Sequence, residues 1–145
     1  MKILLLITLL VGISYGLSAQ NTISYTSNDK DFRKGIELLD REKYPAASHF
    51  FERYLDGNPD RLLAVEASYY VAFCSMNLEN NQAEKFIGKF IDDYPTHPKT
   101  ITARYDAGVF YFKKGEYKKA IDNLEKVDIQ QVSPEKRAET IFSLG

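Results

Sequence analysis

Apolar residues along this chain recur at helical spacing, while the alternation typical of β-strands is never sustained. From residue 29 onward, apolar positions three and four residues apart are interrupted by short polar segments. This spacing predicts helices over residues 29–41, 45–57, 60–78, 80–93, 98–114, 117–127 and 135–145. Because short connections make neighbouring helices antiparallel, we expect an all-α fold with three helix hairpins over 29–134 and a last helix over 135–145.

Proline and capping residues mark three of the expected helix starts. Asn58 and Ser133 each precede a proline and an acidic residue, so their side chains are expected to accept hydrogen bonds from unpaired N–H groups. Pro59 and Pro134 are expected at the first helical position, where proline has no N–H to leave unpaired. Pro98 starts another helix in the same way.

The three hairpins repeat one another in sequence. Early in the second helix of each hairpin an alanine recurs at steps of 36 and 37 residues, at Ala47, Ala83 and Ala120. Bulky apolar residues follow at the fourth and seventh positions after each alanine, namely Phe51 and Tyr54, Ile87 and Phe90, and Leu124 and Val127. In the first helices the same steps relate Gly35, Val71 and Gly108. Small residues allow two backbones to approach closely, and stacked hairpins bury apolar faces that one hairpin cannot bury alone.

On these positions the chain resembles the tetratricopeptide repeat (TPR) family, whose pattern is a helix pair with glycine and tyrosine in the first helix and Ala-x3-Phe in the second. Repeats over about 28–61, 64–97 and 101–134 match it through Gly35, Ala47, Phe51, Pro59, Ala83, Ile87, Pro95, Ala107, Gly108, Tyr111, Gly115, Tyr117, Ala120 and Leu124. The chain departs from the family in its longer spacing and its lack of tryptophan. The usual tryptophan position holds Asp31, Ala67 and Arg104. This form of the repeat is similar to the TPRs of bacterial outer-membrane assembly lipoproteins and cell-division coordinators. The resemblance implies a right-handed superhelix of antiparallel hairpins.

The first 19 residues have the pattern of a secretory signal peptide. Lys2 precedes an apolar run from Ile3 to Ile13, and small residues follow. This run is shorter than the roughly 20 residues that a spanning helix needs, which favours cleavage over a retained anchor helix. Cleavage after Ala19, Ser18 or Gly16 stays open, and residues 20–28 are expected to be a flexible lead-in. We therefore expect export to the periplasm or the outer membrane.

Charge and chemistry narrow the class of function. Nineteen basic residues nearly balance twenty acidic ones, giving a formal net charge of −1 and no electrostatic case for nucleic acid. Cys74 is the sole cysteine and lies in an apolar stretch, so no internal disulfide forms and a buried thiol is expected. His49 and His97 have no partner at zinc-ligand spacing, and no nucleotide-binding or nucleophile motif occurs. We expect no catalytic residue, metal site or cofactor.

The resemblance implies that the first helices line a concave groove that holds a protein or peptide. By position, its lining is Ser68, Ala72, Ser75, Thr102, Tyr105, Val109 and Phe112. Tyr105 and Phe112 are seven residues apart on one helix face, so they are expected either to anchor a partner or to pack against the neighbouring helix. The lysine and asparagine clamp that chaperone-binding TPRs use for a terminal carboxylate is absent from these positions.

The sequence thus predicts an exported TPR scaffold that mediates protein–protein interactions in the bacterial cell envelope without catalysis. Residues 135–145 are expected to be a cap or the first helix of a fourth, incomplete repeat, because Leu144-Gly145 resembles Ala107-Gly108. Two alternatives stay open. In the first, the chain is the substrate-recruiting front of a longer enzyme and not a scaffold. In the second, it is a structural oligomer that associates through residues 135–145.

Overall fold

The computed structural model of the chain describes residues 29–138, and every element in this range is helical. Six α-helices follow in order: α1 (Lys30–Leu39), α2 (Tyr44–Asp56), α3 (Arg61–Asn77), α4 (Ala83–Asp93), α5 (Pro98–Lys113) and α6 (Tyr117–Leu124). A 3₁₀ turn over Ile129–Gln131 leads to a seventh helix, α7, which begins at 134 and is described as far as 138. The expected all-α class is confirmed over this range. The signal peptide, the lead-in over 20–28 and residues 139–145 lie outside the described residues.

The helix boundaries follow the expected positions, with four corrections. The cap of α3 is Asp60 and not Asn58: its carboxylate accepts from the N–H groups of Leu62 (2.9 Å) and Leu63 (3.2 Å), so Pro59 lies before the helix. Helix α1 ends two residues earlier than expected. Helix α4 begins at Ala83 and not at residue 80, because the Asn80 side chain accepts from the N–H of Gln82 and forms a turn there.

The fourth correction concerns the end of α6. This helix ends at Leu124, so Val127 lies in the connection and not on the helix face where the repeat spacing places it. Capping by Ser133 is confirmed, since its hydroxyl accepts from the N–H of Lys136 at 3.3 Å. Pro98 occupies the first turn of α5, as expected.

The helices form a series of antiparallel neighbours. Helix α1 packs against α2, α3 against α4 and α5 against α6, and each hairpin contacts the next through α2–α3 and α4–α5. The first helices of successive hairpins also meet, α1 with α3 and α3 with α5, and these contacts are more extensive than those between the second helices. The first helices therefore form a continuous row.

Helix α3 is buried on two opposite faces, and this joins the two parts of the core. Val65, Tyr69, Ala72 and Met76 face the cluster formed with α4, α5 and α6. The opposite face carries Ala67, Val71 and Cys74, which pack in the cluster formed with α1 and α2. Both sets are spaced at helical intervals, so a helix between two hairpins has apolar residues on two faces.

Small residues allow close helix crossings where the sequence repeat predicts them. The three alanines of the second helices are almost fully buried: Ala47 (0%), Ala83 (0%) and Ala120 (2%). A Cβ at Gly35 would lie 2.6 Å from the Phe51 ring, and one at Gly108 would collide with the Leu124 side chain. The expectation that small residues permit close backbone approach is confirmed at these positions.

Candidate functional site

A groove lies between the C-terminal half of α3, the C-terminal half of α5 and the start of α7. Its volume is about 610 Å³, and it is open to solvent on one side. Its apolar floor consists of Phe73, Met76, Val109 and Phe110. Charged and polar side chains surround this floor: Asn77, Glu79, Asp106, Lys113, Lys114, Ser133, Glu135 and Lys136. An open groove lined by apolar and charged side chains therefore lies between the first helices α3 and α5 and the start of α7.

At one end of the groove a buried carboxylate is held between three helices. Asp106 on α5 is 9% exposed, and Tyr69 on α3 donates its hydroxyl to Asp106 Oδ2 at 2.6 Å. Lys136 on α7 places its Nζ 2.7 Å from Oδ1 and 2.8 Å from Oδ2. The same Nζ donates to the Tyr69 hydroxyl at 3.1 Å. One ammonium group thus contacts both oxygens of the carboxylate and the phenol.

Aromatic rings complete the surroundings of this ammonium group. Lys136 Nζ lies 5.1 Å from the centroid of the Phe73 ring and 5.8 Å from that of the Tyr69 ring. These distances are in the range in which an aromatic face attracts a cation. The site therefore combines a carboxylate, a hydroxyl and two aromatic rings around one positive charge.

Burial shifts the titration of both groups that hold the lysine. It raises the pKa of Asp106, because a carboxylate loses its hydration inside the protein, while Lys136, Tyr69 and Lys99 partly oppose this effect. Burial likewise raises the pKa of Tyr69 well above its ordinary value, and the negative charge of Asp106 adds to that increase. The phenol consequently stays protonated and remains a donor to the carboxylate.

A second lysine lies over the same aromatic row. Lys99 at the start of α5 pairs with Glu66 at 2.7 Å. Its Nζ lies 4.8 Å from the Tyr69 ring centroid and 5.3 Å from that of Tyr70. Two ammonium groups therefore contact aromatic rings of α3, and each is paired with a carboxylate.

The seven groove residues expected from the sequence differ in their exposure to solvent in the structure. Val109 lies in the groove lining, and Ser68 and Thr102 are partly exposed on the same helices. In contrast, Ala72 (0%), Ser75 (2%) and Tyr105 (6%) are buried in the protein interior. For these three, the expectation of an accessible lining is wrong, because α3 and α5 bury two of their faces.

Of the two alternatives for Tyr105 and Phe112, an accessible aromatic pair or packing inside the fold, the structure contradicts the accessible pair. Tyr105 is buried, whereas Phe112 is 44% exposed, so the two rings do not share an accessible surface. Phe112 instead contacts the ring of Tyr117 on α6 edge-on, with a centroid distance of 5.6 Å. This aromatic pair lies at the turn between α5 and α6.

Apart from Val109, the residues of the groove floor and its buried charge were not expected from the sequence. Phe73 and Phe110 are 37 residues apart, as are Tyr69 and Asp106. That interval is the second of the two repeat steps, so each pair occupies equivalent positions on successive first helices. This coincidence was a usable signal. Lys136 gave no such signal, because it contacts Asp106 only through the fold.

Contacts within the fold account for the positions of the two histidines and of Asp93. The His97 Nδ1 accepts from the N–H of Lys99 at 3.2 Å and caps α5. The ring of His49 lies 6.0 Å from that of Phe50. Asp93 accepts from Lys89 at 2.5 Å. Across residues 29–138, no three His, Cys, Asp or Glu side chains come close enough together to hold a metal ion.

Cys74 is fully buried, and this burial raises its pKa to about 12. The thiol therefore stays protonated at neutral pH and behaves as a small apolar side chain, as the sequence context predicts.

Among the helices of the described range, none is both long and apolar enough to cross a membrane.

The chain was compared with protein-family models, with curated proteins and with solved structures, and no match was found in any of the three.

Proposed function

We propose that this chain is an exported, TPR-like scaffold that binds a segment of a partner protein in the groove formed by its first helices. In this proposal the helix hairpins stack into a right-handed superhelix, with the first helices on its inner side. The partner belongs to the bacterial cell envelope, and the chain carries out no chemical step itself.

The observation that carries this proposal is an open groove beside the first helices α3 and α5, lined by both apolar and charged side chains. Phe73 and Val109 are partly exposed in its floor, and Met76 and Phe110 extend the apolar surface beneath them. A partner side chain placed there would lose contact with water at little cost, because the surface it covers is already apolar and preformed. The charged side chains of the groove lining would then determine which partner segments fit.

The arrangement of the helices supports the superhelical part of the proposal. The first helices contact one another more extensively than the second helices do. In a stack of hairpins, the helices with the closer mutual contacts lie on the inner side of the curve. Such curvature produces the extended concave surfaces that repeat proteins use for binding.

The proposed location rests on the sequence alone. The apolar run from Ile3 to Ile13 after Lys2 has the length and flanks of a signal for export. The near-neutral charge of the whole chain is compatible with a protein partner and gives no attraction to nucleic acid.

Site-specific photocrosslinking in cells tests the proposal. A photoreactive amino acid at Val109 lies in the groove, whereas the same amino acid at the exposed Lys85 on α4 lies on the row of second helices. We expect Val109 to give a discrete crosslinked envelope protein and Lys85 to give none. Equal crosslinking from both positions, or none from Val109 in a folded and exported chain, would contradict groove binding.

Self-association is a second candidate, and the surface of α6 favours it. Tyr117 and Ile121 are each 61% exposed and lie four residues apart, next to the exposed ring of Phe112. The equivalent tyrosine of α2, Tyr44, instead packs edge-on against Phe73 of the next hairpin at 6.3 Å. A second copy of the chain could cover the α6 surface. Sedimentation of the wild type and of Ile121→Lys tests this: a concentration-dependent dimer that the substitution abolishes supports it, and a monomer at all concentrations contradicts it.

A further inference from the structure

Asp106 is a buried carboxylate that faces the groove. It lies in the groove lining although it is only 9% exposed, and the hydroxyl of Tyr69 fixes its orientation. A buried charge of this kind needs a counter-ion, because desolvation is costly when no positive group compensates it. The position of Asp106 therefore marks a place where a cation must be bound.

The groups around this place have the chemistry of an ammonium-binding site. Two carboxylate oxygens and one phenol oxygen lie within 3.1 Å of the Lys136 Nζ, and the Phe73 and Tyr69 rings approach it from other directions. Carboxylates and aromatic faces together are the groups by which proteins recognise cationic side chains. A neutral side chain in the same place would leave the carboxylate without a counter-ion.

The site and its occupant come from different parts of the chain. Tyr69 and Phe73 belong to α3 and Asp106 to α5, so the stacked hairpins alone provide every group that holds the cation. Lys136 belongs to the segment that follows α6 and its connection over 125–133. The ammonium site is thus complete without the segment that currently fills it.

The occupied site is also accessible from the groove. The Lys136 side chain is 23% exposed and lines the same cavity as Asp106, next to the apolar surface of Phe73 and Val109. A cationic side chain of a segment in the groove could therefore reach Asp106 beside Lys136, with apolar surface available for its methylene groups.

We propose that Tyr69, Phe73 and Asp106 form a receptor for a lysine or arginine side chain of the partner segment, with Lys136 as an internal occupant that this side chain displaces. The inference rests on the proposed binding of a partner segment in the groove and specifies the chemistry of that segment. Lys136 then limits binding to ligands that supply a positive charge, since only these can replace it without leaving Asp106 uncompensated.

The test compares the wild-type chain with Lys136→Met, which keeps a long apolar side chain and removes the competing charge. Two peptides are titrated by calorimetry: acetyl-Ala-Leu-Lys-Leu-Ala-amide, and its counterpart with norleucine in place of lysine. We expect Lys136→Met to bind the lysine peptide about tenfold more tightly than the wild type, because the internal competitor is gone. The norleucine peptide is expected to bind both proteins equally weakly.

A matched control separates this receptor from the neighbouring lysine pair. Adding Asp106→Asn to Lys136→Met should abolish the gain for the lysine peptide. Adding Glu66→Gln, an equivalent loss of a carboxylate beside the same Tyr69 ring, should leave it unchanged. Binding of n-butylamine alone as tightly as the lysine peptide would contradict a polypeptide ligand.

A measurement on the wild type keeps the inference testable if Lys136→Met does not fold. The protein is produced with lysine labelled with ¹³C at Cε, and the Lys136 signal, assigned with Lys136→Arg, is expected to be shifted by the nearby rings. Adding the lysine peptide should move this signal towards the solvent-exposed position, and the norleucine peptide should not. An unchanged Lys136 signal at saturating lysine peptide would overturn the displacement.

The two proposals fail in different ways. Equal affinity of folded Lys136→Met for both peptides would contradict the cation receptor and leave groove binding intact. Selective binding of the lysine peptide without any crosslink from Val109 would contradict the cellular scaffold function and leave the receptor intact.

Discussion

Gly35 on α1 lies where an added methyl group would collide with the ring of Phe51 on α2. A Cβ at this position would lie 2.6 Å from Cε1 and 2.8 Å from Cδ1 of that ring, about 1 Å closer than carbon atoms normally pack. The ring cannot move into solvent, because Phe51 is 0% exposed and stacks on Tyr70 with a centroid distance of 5.1 Å. Gly35→Ala must therefore separate α1 from α2.

Two opposing effects determine the size of the change. Alanine is favoured over glycine inside a helix by about 0.5–1 kcal/mol, while overpacking a well-packed core costs about 1–3 kcal/mol. Because the neighbouring group at Gly35 is a rigid, buried ring, we expect a net loss of about 1–2 kcal/mol in the free energy of unfolding. Gly88 on α4 provides the matched control, since a Cβ there meets nothing within 4 Å. Gly88→Ala should raise the free energy of unfolding by about 0.5–1 kcal/mol.

Urea unfolding followed by circular dichroism measures both changes as shifts of the midpoint at constant slope. In thermal unfolding, Gly35→Ala should lower the Tm by about 4–9 °C, the shift that a loss of about 1–2 kcal/mol produces in a domain of this size. Gly108→Ala should fall between the two variants, because its Cβ meets Leu124, which is 36% exposed and has room to rotate. A Gly35→Ala protein as stable as Gly88→Ala would refute the close contact between the first and second helices.

Three further predictions concern the core, the thiol and the buried carboxylate. Phe51→Ala should cost about 3–5 kcal/mol in urea unfolding, whereas Leu62→Ala, at a site 74% exposed, should change stability by less than about 0.5 kcal/mol; similar costs at both sites would contradict the assigned burial. Cys74, whose pKa is raised to about 12, should react with iodoacetamide in native protein only as fast as the chain opens, and fast labelling without denaturant would show that it is accessible. Burial raises the pKa of Asp106 above its ordinary 3.8, so the folded state binds the carboxyl proton more tightly than the unfolded state does. The contribution of Asp106 to stability therefore declines as pH rises from about 4 through the raised pKa. The stability difference between wild type and Asp106→Asn should therefore shrink as pH rises over this range in urea titrations, and a difference that grows with pH would contradict the sign of the shift.

The helical architecture was predictable because apolar periodicity directly reflects which helix face is buried. The repeat also located close crossings, since only a small residue fits where Gly35 meets Phe51 or Gly108 meets Leu124. Helix ends were less predictable. A side chain such as Asp60 competes with its neighbours for capping, and the winner depends on backbone angles that the sequence pattern does not specify.

The groove was only partly predictable, for a reason visible in α3. A helix between two hairpins buries two faces, so apolar and small residues occur almost all around it. Periodicity then indicates that the helix is buried but does not show which of its faces stays exposed. For this reason the sequence does not distinguish the buried Ala72 and Ser75 from true groove residues. The contact between Asp106 and Lys136 was not predictable, because it depends on where the connection over 125–133 returns α7 to the first helices.

If the proposed cation receptor is correct, the buried ion pair at the groove serves specificity rather than stability. Moving Asp106 and Lys136 out of water costs free energy that their attraction only partly returns, so apolar residues of similar size commonly serve a core equally well. Most buried side chains of the described range are apolar, and the buried carboxylates are Asp29 and Asp106. Asp106 lies where three helices meet at the groove, and both oxygens of its carboxylate contact one ammonium group. A charge in this position distinguishes cationic from neutral side chains, which an apolar replacement could not do. The desolvation cost of the Asp106–Lys136 pair is therefore consistent with a site that selects its ligand by charge. In the absence of a ligand, Lys136 supplies the positive charge.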